Sequence, residues 1–282
     1  MLDTYCIYNG HVISLYEPAI SFSNRAFRYG DSLFESIRFT NGKIMFLADH
    51  VKRMKLSMTT LRMNVPAEFT TANIEQQIFH LLEHNSIKKE ARIRLTVFRN
   101  EGGFYTPETN DISFLIESVP IETTGYELNK KGLWVDIYAE IKKQINKTSN
   151  LKTGSALLYV MAGITKTSLK LDDCLLVNEN GQIIESINSN IFVIKNGTLY
   201  TSPIADGCID GVMRKQILEI AAQNKILVFE QHLTVHTLTD SDEIFLTNAI
   251  KGIQWVGQFK NKFYTNQKAV FFTEKLNELV NQ

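Results

Sequence analysis

The chain has 282 residues, 44% of them hydrophobic and 21% charged. Thirty Lys and Arg balance thirty Asp and Glu, which excludes the broad basic face that grips a phosphate backbone. Three cysteines, Cys6, Cys174 and Cys208, stand far apart with no CxxC pair. This argues against a disulfide framework or a thiolate zinc site and points to a reduced, cytoplasmic setting.

The first residues, MLDTYCIYNG, carry no basic or apolar leader, so no secretory signal is expected. No apolar run approaches the length of a membrane span. YCIYNGHVIS (5–14) reads as a hairpin around Asn9-Gly10, and SLFESIRFTNGKIMFL (32–47) repeats the pattern around Asn41-Gly42. Over 48–63, Val51, Met54, Met58 and Leu61 recur at helical spacing. Ile74, Ile78, Leu81 and Leu82 do the same over 71–85. The strands ARIRLTVF and ISFLIESV complete a small α+β unit over 1–119. Residues 120–131, with Pro120 and Gly125, read as a linker. The second domain, 132–282, opens with the strand LWVDIYAE, followed by the basic run IKKQINK (141–147) and a helix around 155–170. Strands with turns at Asn180-Gly181 and Asn196-Gly197 come next, then a helix from Gly211, two more strands and a terminal helix.

Several features offer chemistry. Asp210 reads as the N-cap of the helix at Gly211, whose first turn presents the amides of Val212 and Met213 at the positive end of a helix dipole. His80 and His84 lie four apart on a helix, and His232 and His236 four apart in a strand-like stretch. HLLEH is not HExxH and no third ligand suggests itself, so no metal site is expected. No P-loop and no GxSxG elbow occurs. Lys152, in SNLKTG, and Glu185, at the end of QIIES, gain meaning only if they share a ligand.

The order of motifs supplies one. RAFRYGDSLFESIRF (25–39), HVKRM (50–54), IIESINSNIFVIKNGTLYTS (183–202), GVMR (211–214) and FLTNAIKG (245–252) resemble, in order and spacing, the class IV aminotransferases, which are fold-type IV pyridoxal-phosphate enzymes. That family holds branched-chain aminotransferases, D-amino acid aminotransferases and aminodeoxychorismate lyases. The resemblance implies a two-domain α+β fold, pyridoxal 5'-phosphate as cofactor and a homodimer. It implies amino acids and 2-oxo acids as substrates, while the balanced charge and the lack of a long apolar run lead us to expect no nucleic-acid or membrane partner.

The resemblance also assigns roles. Lys152 matches the Schiff-base lysine: thirty-three positions separate it from Glu185, within a residue of the family's gap, whereas Lys147 would give thirty-eight. Glu185 matches the carboxylate facing the pyridine nitrogen, and Arg53 the phosphate arginine. Val212, Met213, Asn248 and Ala249 match the phosphate cup, and Asn190 and Gly211 complete the cofactor contacts. Tyr29 matches a tyrosine reaching the partner's site, and Arg94 a substrate-side arginine; Arg28 and Arg94 together could clamp a substrate carboxylate.

The chain departs from the family at several points. Ala156 and Leu157 replace the Asn-Tyr pair after the lysine, leaving no tyrosine there for the cofactor's phenolic oxygen. FES replaces FEG, and Ala249 replaces a threonine. The stretch FRNEGGFYTP (98–107) lacks an Arg-x-His trap and partly resembles the glycine-rich stretch of aminodeoxychorismate lyases. The expected activity is transamination of a branched-chain-like or D-amino acid. The alternatives are the lyase, which would release pyruvate and 4-aminobenzoate, and an inactive cofactor-fold binding protein.

Overall fold

A computed structural model describes residues 4–17 and 20–281. The chain divides into two compact units: residues 1–124 with 151–156, and residues 125–150 with 157–282. The sequence reading places 151–156 in the second domain, but the chain packs this segment with the first unit.

The first unit begins with β1 (Tyr5–Tyr8) and β2 (His11–Ser14). Their turn residues Asn9 (φ 48°) and Gly10 (φ 86°) take the left-handed pair that a two-residue hairpin requires. Next come α1 (Arg25–Tyr29), β3 (Ser32–Thr40), β4 (Lys43–Ile44), α2 (Leu47–Thr60), α3 (Thr71–His84), β5 (Glu90–Arg99) and β6 (Ile112–Pro120). The six strands form one antiparallel sheet in the order β2-β1-β6-β5-β3-β4. Val51, Met54 and Met58 from α2, and Ile74, Ile78 and Leu81 from α3, pack with Ile7, Ile37, Ile93 and Ile116 of the sheet. The Thr70 hydroxyl accepts from the Asn73 amide and starts α3.

The second unit holds β7 (Leu133–Lys143), α4 (Leu157–Ser168), β8 (Asp173–Asn178), β9 (Ile183–Ser186), β10 (Asn190–Lys195) and β11 (Thr198–Thr201). A 3-10 turn at Ile204–Asp206 leads to α5 (Val212–Gln223), β12 (Val228–Glu230), α6 (Val235–Thr239), β13 (Glu243–Asn248), β14 (Gly252–Phe259), β15 (Lys262–Phe263) and α7 (Gln267–Asn281). The sheet runs β12-β11-β10-β13-β14-β7-β8-β9, with β15 on β14. An additional pairing of β9 with β10, at Glu185 and Asn190, joins six of its strands into a closed ring. Val135, Leu175, Ile183, Ile191, Ile244, Leu246 and Val256 pack into one apolar core. A second cluster, with Tyr138, Cys174, Leu176 and Cys208, has Leu158 and Tyr159 of α4 packed against it.

Three local expectations change. Helix α5 is capped by Gly211 with no side-chain bond, so Asp210 is not its N-cap. The second histidine pair is not on a strand: His232 follows β12, and His236 lies in α6. The strand read over LWVDIYAE is longer than expected, because β7 continues into the basic run as far as Lys143.

Candidate active site

The candidate site residues fall in both units, and each unit is described by itself. In the first, β4 pairs with β3 only at Phe39 and Thr40, so it covers only the far end of that edge of β3. Residues 152–154 occupy the other end. The Phe34 amide donates to the Lys152 carbonyl at 2.9 Å, the Gly154 amide donates to the Ser32 carbonyl at 2.8 Å, and Leu33 bridges Thr153. A Cβ on Gly154 would lie 2.1 Å from the Ser32 hydroxyl, so this close pairing needs glycine. The pairing fixes the backbone of Lys152, whose ammonium rests 4.3 Å from the centre of the Phe34 ring. Arg94, on β5, sets its guanidinium 4.0 Å from the same ring and donates to Thr96 at 3.2 Å. Burial pushes the Arg94 pKa down. Lys152 is half-buried, while Lys147 is exposed.

Arg53 projects from α2 onto Glu35 of β3. Its Nε donates to Oε1 at 2.8 Å and its Nη2 to Oε2, while Nδ1 of His50 lies 2.7 Å from Oε2. Burial alone would raise the Glu35 carboxyl, but Arg53 and His50 together outweigh it and hold it at about 2. Tyr29 lies in α1, its ring 5.5 Å from Tyr105 and 5.0 Å from the Arg25 guanidinium. Arg28 is exposed and donates to the Phe22 carbonyl at 3.1 Å. No described hydrogen bond or ring contact joins it to Arg94.

In the second unit, Glu185 ends the short strand β9 and is 2% exposed. Its Oε1 accepts from Lys143 Nζ at 2.6 Å and from the Tyr159 hydroxyl at 2.9 Å. Its Oε2 accepts from the Ile209 amide at 2.8 Å. Lys143 also donates to the Tyr159 oxygen at 2.9 Å, closing a triangle. Burial, then the Glu185 charge, pushes the Tyr159 phenol far up, and the same two causes push the Cys208 thiol up to about 12. Asn190 donates to the Ile209 carbonyl at 2.8 Å. A Cβ on Gly211 would strike its Oδ1 at 1.9 Å, so Asn190 braces the loop that carries the Ile209 amide and opens α5. The first-turn residues Val212 and Met213 are buried. At the end of β13, Asn248 accepts from the amides of Ile250 (3.0 Å) and Lys251 (2.8 Å) and donates to Ser189 at 2.9 Å. The Ala249 carbonyl accepts from Tyr126 at 3.3 Å.

The structure therefore gathers Lys152 and Arg94 around Phe34 in one unit, and Glu185, Asn190 and the start of α5 in the other. Sequence reasoning missed Lys143, the role of Tyr159, and the pair of Glu35 with His50. Glu35 and His50 lie inside motifs already singled out, FESIR and HVKRM. Lys143 is concealed among neighbouring lysines, and its one signal is its position at the end of a strand.

A buried acid–lysine–tyrosine cluster beside an uncapped helix start, in an α+β chain with a lysine pinned to a strand edge, marks an enzyme-like scaffold. A family model described as amino-transferase class IV matches residues 32–259, and the chain belongs to that family. It is 30% identical over 260 residues to a "Probable branched-chain-amino-acid aminotransferase" of Rickettsia typhi, covering 90% of this chain and 88% of the relative. It is 24% identical over 249 residues to a D-alanine aminotransferase of Bacillus licheniformis, covering 86% and 83%. The crystal structure of a branched-chain aminotransferase from Thermoproteus uzoniensis shares the fold with a TM-score of 0.88 at 21% identity, covering 99% of this chain and 95% of that one.

Proposed function

We propose that the chain is a pyridoxal-phosphate-dependent aminotransferase that moves an amino group between an amino acid and a 2-oxo acid. The observation that carries the reading is Lys152, held by backbone pairing on β3 within the segment the family model matches. The residues fit the cofactor chemically. Glu185 uses three of about four acceptor positions, which leaves one for a protonated ring nitrogen. The first turn of α5 has no side-chain cap to compete for an anion. Tyr159 is engaged by Glu185 and Lys143, so it is not the partner of the phenolic oxygen.

Bound pyridoxal phosphate supplies an electron sink for the carbanion at the amino acid's Cα. Lys152 would hold the cofactor, and its Nζ would accept the proton lost from the amino acid's Cα. For the phosphate, the first unit offers Arg53, and the second offers the amides of Val212, Met213 and Ala249. Glu185 would pair with the ring nitrogen, while Asn190, Gly211 and Asn248 would shape the loops that hold the cofactor. Arg94 and Tyr29 would face the substrate, while Arg28 is exposed and bonded to the Phe22 carbonyl.

We assign a homodimer. Supporting it, α4 and its end expose Leu157, Val160, Ile164 and Leu169, and the loop after β5 exposes Phe104 and Tyr105. Three buried free thiols suit a cytoplasmic protein. Among the described residues no helix is long and apolar enough to cross a membrane.

The test is a panel of L-valine, L-leucine, L-isoleucine and D-alanine with 2-oxoglutarate. Glutamate should form from at least one donor, and Lys152→Ala should cut the rate by about 10⁴-fold or more and prevent covalent cofactor attachment. Release of 4-aminobenzoate from aminodeoxychorismate with no amino transfer would replace this reading with the lyase. The glycine-containing stretch Glu101–Pro107 favours that second reading. Covalent cofactor on Lys152 with neither product would leave a binding protein.

A further inference from the structure

We propose that Lys143 is a positioning residue which, acting through Glu185, sets how tightly the ring nitrogen of the bound cofactor holds its proton. The inference rests on the pyridoxal-phosphate reading and extends it to a residue outside the motifs. Lys143 reaches Glu185 because β7 runs on through the basic stretch and pairs with Asn178 at its last residue. Its side chain is 11% exposed and that of Glu185 3%, so water screens the pair little.

The ammonium lies 2.6 Å from Oε1, and the Tyr159 hydroxyl reaches the same oxygen at 2.9 Å. A ring nitrogen taking the remaining acceptor position would therefore meet a carboxylate already paired with a cation, not a bare anion. Proton affinity at that nitrogen follows the net negative charge it faces, and the titration belongs to the coupled set. The groups around Glu185 are Lys143 from β7, Tyr159 from α4, and Cys208 with the Ile209 amide from the loop before α5. Lys143 is the cation among those hydrogen-bonded to the carboxylate. Neutralising it leaves Glu185 with two neutral donors and a stronger pull on the ring proton. A lysine serving only to stabilise a buried acid would alter thermal stability and leave the cofactor's titration unchanged.

The experiment uses full-length protein loaded with cofactor labelled with ¹⁵N in the ring. The ring-nitrogen NMR shift is followed between about pH 5 and 9 for wild type, Lys143→Met and Lys143→Arg. The methionine variant should hold the ring proton about tenfold more tightly, moving the midpoint up by about one pH unit, and the arginine variant should restore the wild-type midpoint. If the methionine variant does not fold, Lys143→Gln carries the same expectation. Equal midpoints in wild type and the neutral variant, or a lower one in the variant, would overturn the proposal. Borohydride reduction followed by mass analysis of the Lys152 peptide separates the two levels. Cofactor attached with unmoved midpoints sinks this proposal alone. A wild type that never attaches the cofactor sinks the functional reading and this proposal together.

Discussion

Glu35 and Glu185 are equally buried, each 2% exposed, and each accepts hydrogen bonds from a cation and from another side chain. Their partners differ in origin. Glu35 is clamped by His50 and Arg53, one turn apart on a single helix, so one docking event of α2 on β3 completes its shell. Glu185 draws Lys143 from β7, Tyr159 from α4 and the Ile209 amide from a loop, and all three must be in place before it is satisfied. A shell from one helix orients an arginine and asks little else of the fold. A shell from three elements reports whether the closed β-ring has assembled, and it keeps an acceptor position for a ligand.

The comparison breaks first at Glu185→Gln. This change leaves the Lys143 ammonium buried without its counter-charge, so stability should fall by about 3–5 kcal/mol, read from urea midpoints, and cofactor affinity should fall with it. A loss below about 1 kcal/mol would mean that the three-element shell is not the tighter constraint.

Glu35→Gln should cost somewhat less and show its effect in pH. The folded carboxyl titrates at about 2 against an ordinary 4.5. Its contribution is therefore complete above pH 4.5 and is lost as pH falls through 2. Wild type should lose about 3 kcal/mol across that window from this group, and the variant should lack that loss. Parallel stability curves for the two proteins would remove the clamp from the account.

Tyr159→Phe is the mildest change. It takes a donor from Oε1 and an acceptor from Lys143 but leaves the ion pair, so about 1.5–3 kcal/mol should be lost. A calorimetric loss as large as that of Glu185→Gln would show that the phenol, not the lysine, carries the cluster.

Much of this architecture is written locally. The Asn-Gly turns, the apolar spacing of α2 and α3, and the motif order can each be read from short windows, and Lys152, Glu185 and Arg53 follow from motifs. What stays hidden is long-range. Lys143 and Glu185 are 42 positions apart, and nothing near Lys143 distinguishes it from Lys142 until strand β7 fixes which of them turns inward. Tyr159 stands two positions beyond Leu157, and only its place on α4 shows that it serves Glu185. The cap falls at Gly211, one residue beyond Asp210, and a side chain there would strike Asn190, a residue 21 positions away in sequence.

The short segment 151–156 belongs to the first unit while the residues on both sides of it belong to the second. The chain therefore passes between units at 124, 150 and 156, and no single cut separates two complete domains. A fragment ending at 124 would lack the lysine and leave the 32–34 edge of β3 with unpaired amides and carbonyls, an invitation to pair with another chain. The bridge from Leu33 to Thr153 joins residues 120 positions apart in the chain, a contact whose closure entropy places it late in folding. The lysine thus reaches its place only after much of the polypeptide around it has been made.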